Sequence, residues 1–154
     1  MKSILISIRP EWCKKIADGT KTIEIRKTRP KLETPFKCYI YCTKGRGDCL
    51  WRWDGIWYDT QFPNERPNRL DGKVIGEFIC EEIMEAECGA YAKIPLAKTA
   101  MDAFGLVDYA DGAIIYGWCI SKLEIYSRPK LLSEFGLTRP PQSWCYVEGA
   151  RNDG

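Results

Sequence analysis

Short stretches of strict two-residue alternation crowd the start of this chain, and they constrain its fold more than any other feature. Ser3–Ile8 sets Ile4, Ile6 and Ile8 against Ser3, Leu5 and Ser7. Thr22–Arg26 sets Ile23 and Ile25 against Thr22, Glu24 and Arg26, and Lys37–Thr43 sets Cys38, Ile40 and Cys42 against Tyr39 and Tyr41. Alternation of this kind puts one set of side chains on each face of a strand. Only one helix-length segment separates the first two, with Pro10 at its start, Trp12, Ile16 and Ala17 at helical spacing, and Gly19 as its stop. No regular strand–helix–strand rhythm follows, so a doubly wound sheet is excluded.

Later segments extend the pattern. Leu50–Trp53 and Ile56–Asp59 flank Asp54-Gly55, a strong hairpin signal, and the implied register pairs Trp53 with Ile56, Arg52 with Trp57 and Trp51 with Tyr58. Residues 62–72 read as a polar surface return, and 44–72 as an insertion. Lys73–Glu82 reads as a strand. Ile94-Pro95 leads into a helix to about Phe104, closed by Gly105. Ala113–Tyr126 reads as one bent strand or two with a bulge or bend at Gly117, and Ser143–Glu148 as the last strand. The sum is an α+β chain: a small twisted mixed β-barrel of five to six strands with two or three short helices and an inserted hairpin. A chain of 154 residues suits one domain, here 1–148, with 149–154 as a flexible tail.

Composition narrows the chemistry. Histidine is absent, which removes Ser-His-Asp and Cys-His nucleophiles. The eight cysteines form no CxxC pair, so buried small hydrophobes are expected rather than a zinc site, and no metal or cofactor is expected. No apolar run is long enough to span a membrane and no leader pattern opens the chain, so a cytoplasmic protein with free thiols is expected. Net charge is +2, but unevenly spread: residues 1–47 carry +8 and residues 48–112 carry −7. A basic third can attract phosphate, or the two segments can neutralise each other.

The densest functional candidate is Gly19-Thr-Lys-Thr-Ile-Glu-Ile-Arg26. There Lys21 opens a strand whose polar face carries Thr22, Glu24 and Arg26, an acceptor and a donor fork suited to a nucleobase edge. The other reading is an exposed strand with a weak ion pair. Trp12, Trp118, Trp144 and Tyr146 are candidates for stacking, against ordinary core roles. Trp51, Trp53 and Trp57 occupy both faces of the hairpin, so part of that trio should be exposed as a possible protein contact.

The chain resembles the ASCH domain family of the PUA-like superfamily, particularly its small phage- and bacteria-borne members. The matching pieces are Leu5-Ile-Ser-Ile-Arg-Pro-Glu-Trp12, Gly19-Thr-Lys-Thr-Ile-Glu-Ile-Arg-Lys27, Gly72-Lys-Val-Ile-Gly-Glu-Phe78, Tyr116-Gly-Trp-Cys-Ile-Ser121, Ile125-Tyr-Ser-Arg-Pro-Lys130 and Arg139-Pro-Pro-Gln-Ser-Trp-Cys-Tyr-Val147. The resemblance implies a twisted β-barrel and a role at RNA or modified nucleosides. It places Lys21, Glu24 and Arg26 on a cleft wall with Ser7 and Arg9 nearby, and Trp118 and Trp144 on the closing strands. One branch of the family looks like amidohydrolases that deacetylate N4-acetylcytidine with a lysine, a threonine and a glutamate. Lys21 matches that lysine, but Glu24 stands in the threonine's place. Three expectations follow: a domain binding RNA or a modified nucleoside, an amidohydrolase using Lys21 and Glu24, or a protein-interaction module built on the tryptophan hairpin.

Overall fold

The structure is a computed structural model that describes residues 2–44, 49–60 and 69–149. Its strands are β1 (Ser3–Ile8), β2 (Ile23–Arg26), β3 (Phe36–Cys42), β4 (Trp51–Trp53), β5 (Ile56–Tyr58), β6 (Lys73–Ala86), β7 (Ile115–Lys130) and β8 (Trp144–Val147). Its helices are α1 (Pro10–Ala17), α2 (Leu96–Thr99) and α3 (Ala103–Ala110), with 3₁₀ turns at Tyr91–Lys93 and Leu132–Phe135. Six strands form one mixed sheet in the order β2-β7-β6-β3-β1-β8, and β4-β5 stand apart as a hairpin. β1 runs parallel to β3, and the other neighbours are antiparallel.

The fold is therefore the α+β architecture expected, with one qualification: the barrel is open. β2 and β8 are the two ends of the ladder and share no backbone pairing. The sheet nevertheless curls until its ends meet. Arg26 of β2 reaches Ser7 of β1 and Ser143 beside β8, Trp144 Nε1 donates to Thr28 Oγ1 at 2.9 Å, and the Lys31 N–H donates to the Tyr146 hydroxyl at 2.9 Å. The Arg26 and Thr28 side chains and the Lys31 backbone N–H thus stitch a seam that the ladder leaves unpaired, covering an edge that would otherwise invite foreign strands.

Three apolar clusters hold the layers together. Ile4, Ile6, Ile8, Cys38, Ile40, Phe78 and Trp118 fill the interior of the curl. Ile23, Ile25, Ile94, Leu106 and Ile115 join the sheet to α2 and α3. Leu5, Tyr39, Val74 and Phe135 pack outside β1 and β3, which explains why β1 is buried on both faces rather than one. Leu50 and Trp57 enter the interior cluster, so the hairpin segment completes the core as well as decorating it. No disulfide links the eight cysteines, and five are buried: Cys13, Cys38, Cys42, Cys49 and Cys80.

The hairpin follows its expected register, with Trp51 opposite Tyr58, Arg52 opposite Trp57 and Trp53 opposite Ile56. Asp54 and Gly55 both take positive φ, as a type I′ turn demands. Residues 61–68, most of the expected surface return, and the tail from 150 lie outside the described residues.

Two expectations need correction. The single helix ending at Gly105 is instead two, α2 and α3, divided at Ala100 in the left-handed region. Asp102 caps α3 by accepting from the Gly105 N–H at 2.6 Å, so Gly105 belongs to the first turn of a helix rather than the end of one. Gly117 is not at a bulge either. It pairs with Ile25 and Met84 within one continuous strand, and a Cβ there would lie 2.9 Å from Ile23 Cγ2. Its role is close approach of β2 to β7. Gly117→Ala is expected to cost about 1–3 kcal/mol by overpacking, read as a lowered denaturation midpoint with unchanged slope.

Candidate functional site

At the open end of the curl lies a cavity of about 960 Å³. β2 forms its floor, and the reason lies in the ladder. Glu24 sits directly opposite Trp118, and Arg26 opposite Tyr116, so Glu24 shares a face with the fully buried Trp118. The polar face of β2 therefore looks inward, while Ile23 and Ile25 turn to the cluster under α2 and α3.

Lys21 and Glu24 are only 1% and 5% exposed. Lys21 Nζ lies 3.4 Å from Glu24 Oε1, and Arg26 Nη2 lies 3.0 Å from Glu24 Oε2. Each cation has a second anchor. Lys21 Nζ donates to the Thr99 carbonyl at 2.6 Å, fixing the end of α2, and sits 4.8 Å from the centre of the Trp12 ring. Arg26 Nη2 donates to the Ser7 carbonyl at 2.6 Å and Nη1 to Ser143 Oγ at 3.1 Å. One carboxylate is thus clamped between two cations that are themselves tied to backbone on opposite walls. Burial pulls the Lys21 ammonium below the ordinary lysine value; Glu24 opposes that shift, and Arg26 and Lys15 add to it.

The rim is different in kind. Arg9 is exposed, and among the described residues no hydrogen bond or ion pair holds its guanidinium. Lys15 lies 4.6 Å from the centre of the Trp12 ring. Two ammonium groups over one indole leave Trp12 as their platform, which limits its use as a stacking face. From α3 comes Tyr109, whose phenol is raised by burial and senses Arg26 and Glu24 nearby.

The structure brings together Ser7, Arg9, Trp12, Lys21, Glu24 and Arg26 on this cavity. Ser7 Oγ is occupied in donating to the Pro141 carbonyl at 2.7 Å. The other candidates lie elsewhere. Thr22 is exposed, and its backbone N–H donates to the Lys98 carbonyl. Trp118 is 0% exposed and packs edge-on against Phe36, so it is core rather than a stacking surface. Trp144 and Tyr146 follow each other along β8 outside the cavity, edge to face at 5.4 Å. Arg26 lines the cavity, but its guanidinium is bonded to Glu24, Ser7 and Ser143, which leaves it a poor reader of a base edge.

Sequence reasoning missed Met101, Asp102 and Tyr109, which form the opposite wall. The signal available was Asp102, a helix-capping residue three positions before Gly105. Of the hairpin trio, Trp57 is buried, Trp51 stacks on Tyr58 at 4.1 Å, and Trp53 is 63% exposed. Among the described residues no cluster of His, Cys, Asp or Glu could hold a metal ion, and no helix is long and apolar enough to cross a membrane.

The open mixed sheet and its flanking helices have the ASCH fold of solved structures. An ASCH structure from Zymomonas mobilis superposes with a TM-score of 0.67 at 20% identity, covering 95% of this chain and 87% of that one. A tyrosine-to-phenylalanine mutant of the same ZmASCH protein gives 0.68 at 21% identity, covering 96% and 91%. No protein-family model and no curated protein matches the chain.

If Glu24 neutralises the buried Lys21 and the half-buried Arg26, removing it should be costly. Glu24→Ala is expected to destabilise the fold by about 3–5 kcal/mol and to lower the Lys21 pKa further. Replacing Lys21 and Glu24 together by Met and Leu should cost less than the sum of the single changes, measured as a double-mutant cycle by chemical denaturation.

Proposed function

We propose that this ASCH-fold protein binds a nucleobase-bearing ligand, an RNA nucleotide or a modified nucleoside, in the cavity over β2. The observation that carries the reading is the division between fixed floor and free rim. Glu24 keeps lone pairs for a heterocycle's N–H groups, and its geometry is set before any ligand arrives, so little ordering is needed. Arg9 and Lys15 at the mouth suit a phosphate, which needs charge more than exact placement. The cavity's size falls within the usual range for small-molecule sites.

Titration with the four ribonucleoside 5′-monophosphates, followed by calorimetry, tests this. Saturable binding is expected, weakened about tenfold by Arg9→Ala with no change in the unfolding temperature. Arg26→Ala is the wrong probe, because it would open the seam. Absence of binding by nucleosides, monophosphates and short RNAs alike would remove the reading.

Amidohydrolysis of an acylated base is a second reading, favoured by the lowered pKa of Lys21. A lysine shifted down holds more free amine near neutrality, and so serves better as a base toward water attacking the acyl carbon. The acyl carbon–nitrogen bond then breaks as the Lys21 ammonium returns that proton to the leaving nitrogen, releasing acetate and the base with its neutral exocyclic NH2. Acetate release from N4-acetylcytidine should rise with pH and level off below the usual lysine value of 10.5. Lys21→Arg, which stays charged, should abolish it. A flat pH profile, or turnover by that variant, would end this reading.

A further inference from the structure

The seam itself offers a second surface. Beyond the cavity mouth, residues 26–31 run beside β8, linked at Arg26–Ser143, Thr28–Trp144 and Lys31–Tyr146. Their exposed side chains include Lys27, Arg29 and Lys31. Lys27 Nζ stands 5.0 Å from the centre of the Tyr109 ring on the cavity wall, so the strip begins at the site. At its far end Lys2 Nζ stands 5.2 Å from the Tyr146 ring, which is 40% exposed. Glu33 and Glu148 flank the strip, but four cations outnumber them along it.

We infer that this strip carries the neighbouring nucleotides of a single-stranded nucleic acid whose terminal or splayed base enters the cavity. The inference deepens the binding reading and rests on it. Cations alternating with accessible aromatic rings are what a single strand uses, phosphates meeting ammonium groups and bases meeting rings. A duplex would hold its bases in their own stack, away from Tyr146. Ser143 to Tyr146 spans about 10 Å of extended strand, which is the rise of roughly three stacked nucleotides. Charge within the cavity agrees: Arg9, Lys15, Lys21 and Arg26 face Glu11, Glu24 and Asp102, a balance suited to one phosphate rather than several. Any affinity for a longer strand must then come from outside it.

The test compares uridine 5′-monophosphate with an eight-nucleotide oligouridine across 50–200 mM salt, using the wild type and a Lys2→Gln/Lys31→Gln double variant. Neither lysine lines the cavity. The oligomer should bind more tightly than the monophosphate, and the double variant should lose roughly tenfold for the oligomer while its salt slope falls by about 1.4. Monophosphate binding should stay within about twofold. Tyr146→Leu, which keeps apolar cover, should also weaken the oligomer. An oligomer no tighter than the monophosphate, an unchanged double variant, or equal affinity for duplex RNA would overturn the strip. Failure of both probes would overturn the cavity reading with it. A tight, lysine-dependent oligomer without monophosphate binding would keep the strip and reject the cavity.

Discussion

One buried carboxylate holds the cavity end of this molecule together. Moving Glu24 out of water is costly unless the charge is met, and it is met twice, by Lys21 at 3.4 Å and Arg26 at 3.0 Å. The excess positive charge is spread in turn over backbone carbonyls of Thr99 and Ser7. Through those carbonyls the same ionic line ties α2 to β2 and β2 to β1. Sheet closure, which a true barrel achieves with ladder bonds, is delegated here to the Arg26 guanidinium and the Thr28–Trp144 and Lys31–Tyr146 hydrogen bonds. An open seam and a polar cavity are therefore one design: a continuous ladder at this position would have filled the space with paired backbone.

Much of that frame was readable from residue order. Alternation fixed β1, β2 and β3, Pro10 and Gly19 bounded α1, and Asp54-Gly55 set the hairpin register to the residue. These are local signals, each decided within a few positions. What failed was not local. Trp118, Trp144 and Tyr146 alternate on their strands in the same way, yet one is core and the other two border solvent. Nothing in a strand's period tells how far it stands from the end of the curl. Likewise Gly105 looked like a helix stop because its neighbours could not say that Asp102 begins a new helix. That one error hid Met101, Asp102 and Tyr109, the part of the cavity wall that faces β2.

The uneven charge along the chain acquires a meaning from the same geometry. If the basic first third merely neutralised the acidic middle, cross-pairs would dominate. Lys37–Glu77 at 3.0 Å is such a pair, but Lys21 and Arg26 are spent on Glu24 and Lys14 on Asp18, all within the basic third. Arg9, Lys15, Lys27 and Lys31 stay at the cavity rim or along the seam. The positive field is thus gathered at one end of the sheet, where it can steer an anion without making the whole surface adhesive.

Lys21 marks the boundary between the two functional readings, and its surroundings explain why both arise. Desolvation lowers its pKa as a catalytic lysine requires, yet the group causing most of the opposition, Glu24, is the one that makes the burial tolerable. A lysine freed to act as a base would leave Glu24 with Arg26 alone and would loosen its grip on Thr99. Proton transfer at Lys21 is therefore coupled to the wall that α2 and α3 build over the cavity. A ligand that only binds leaves this strut intact, whereas one that is turned over must draw on it. Chemistry at this site is inseparable from the stability of the fold around it.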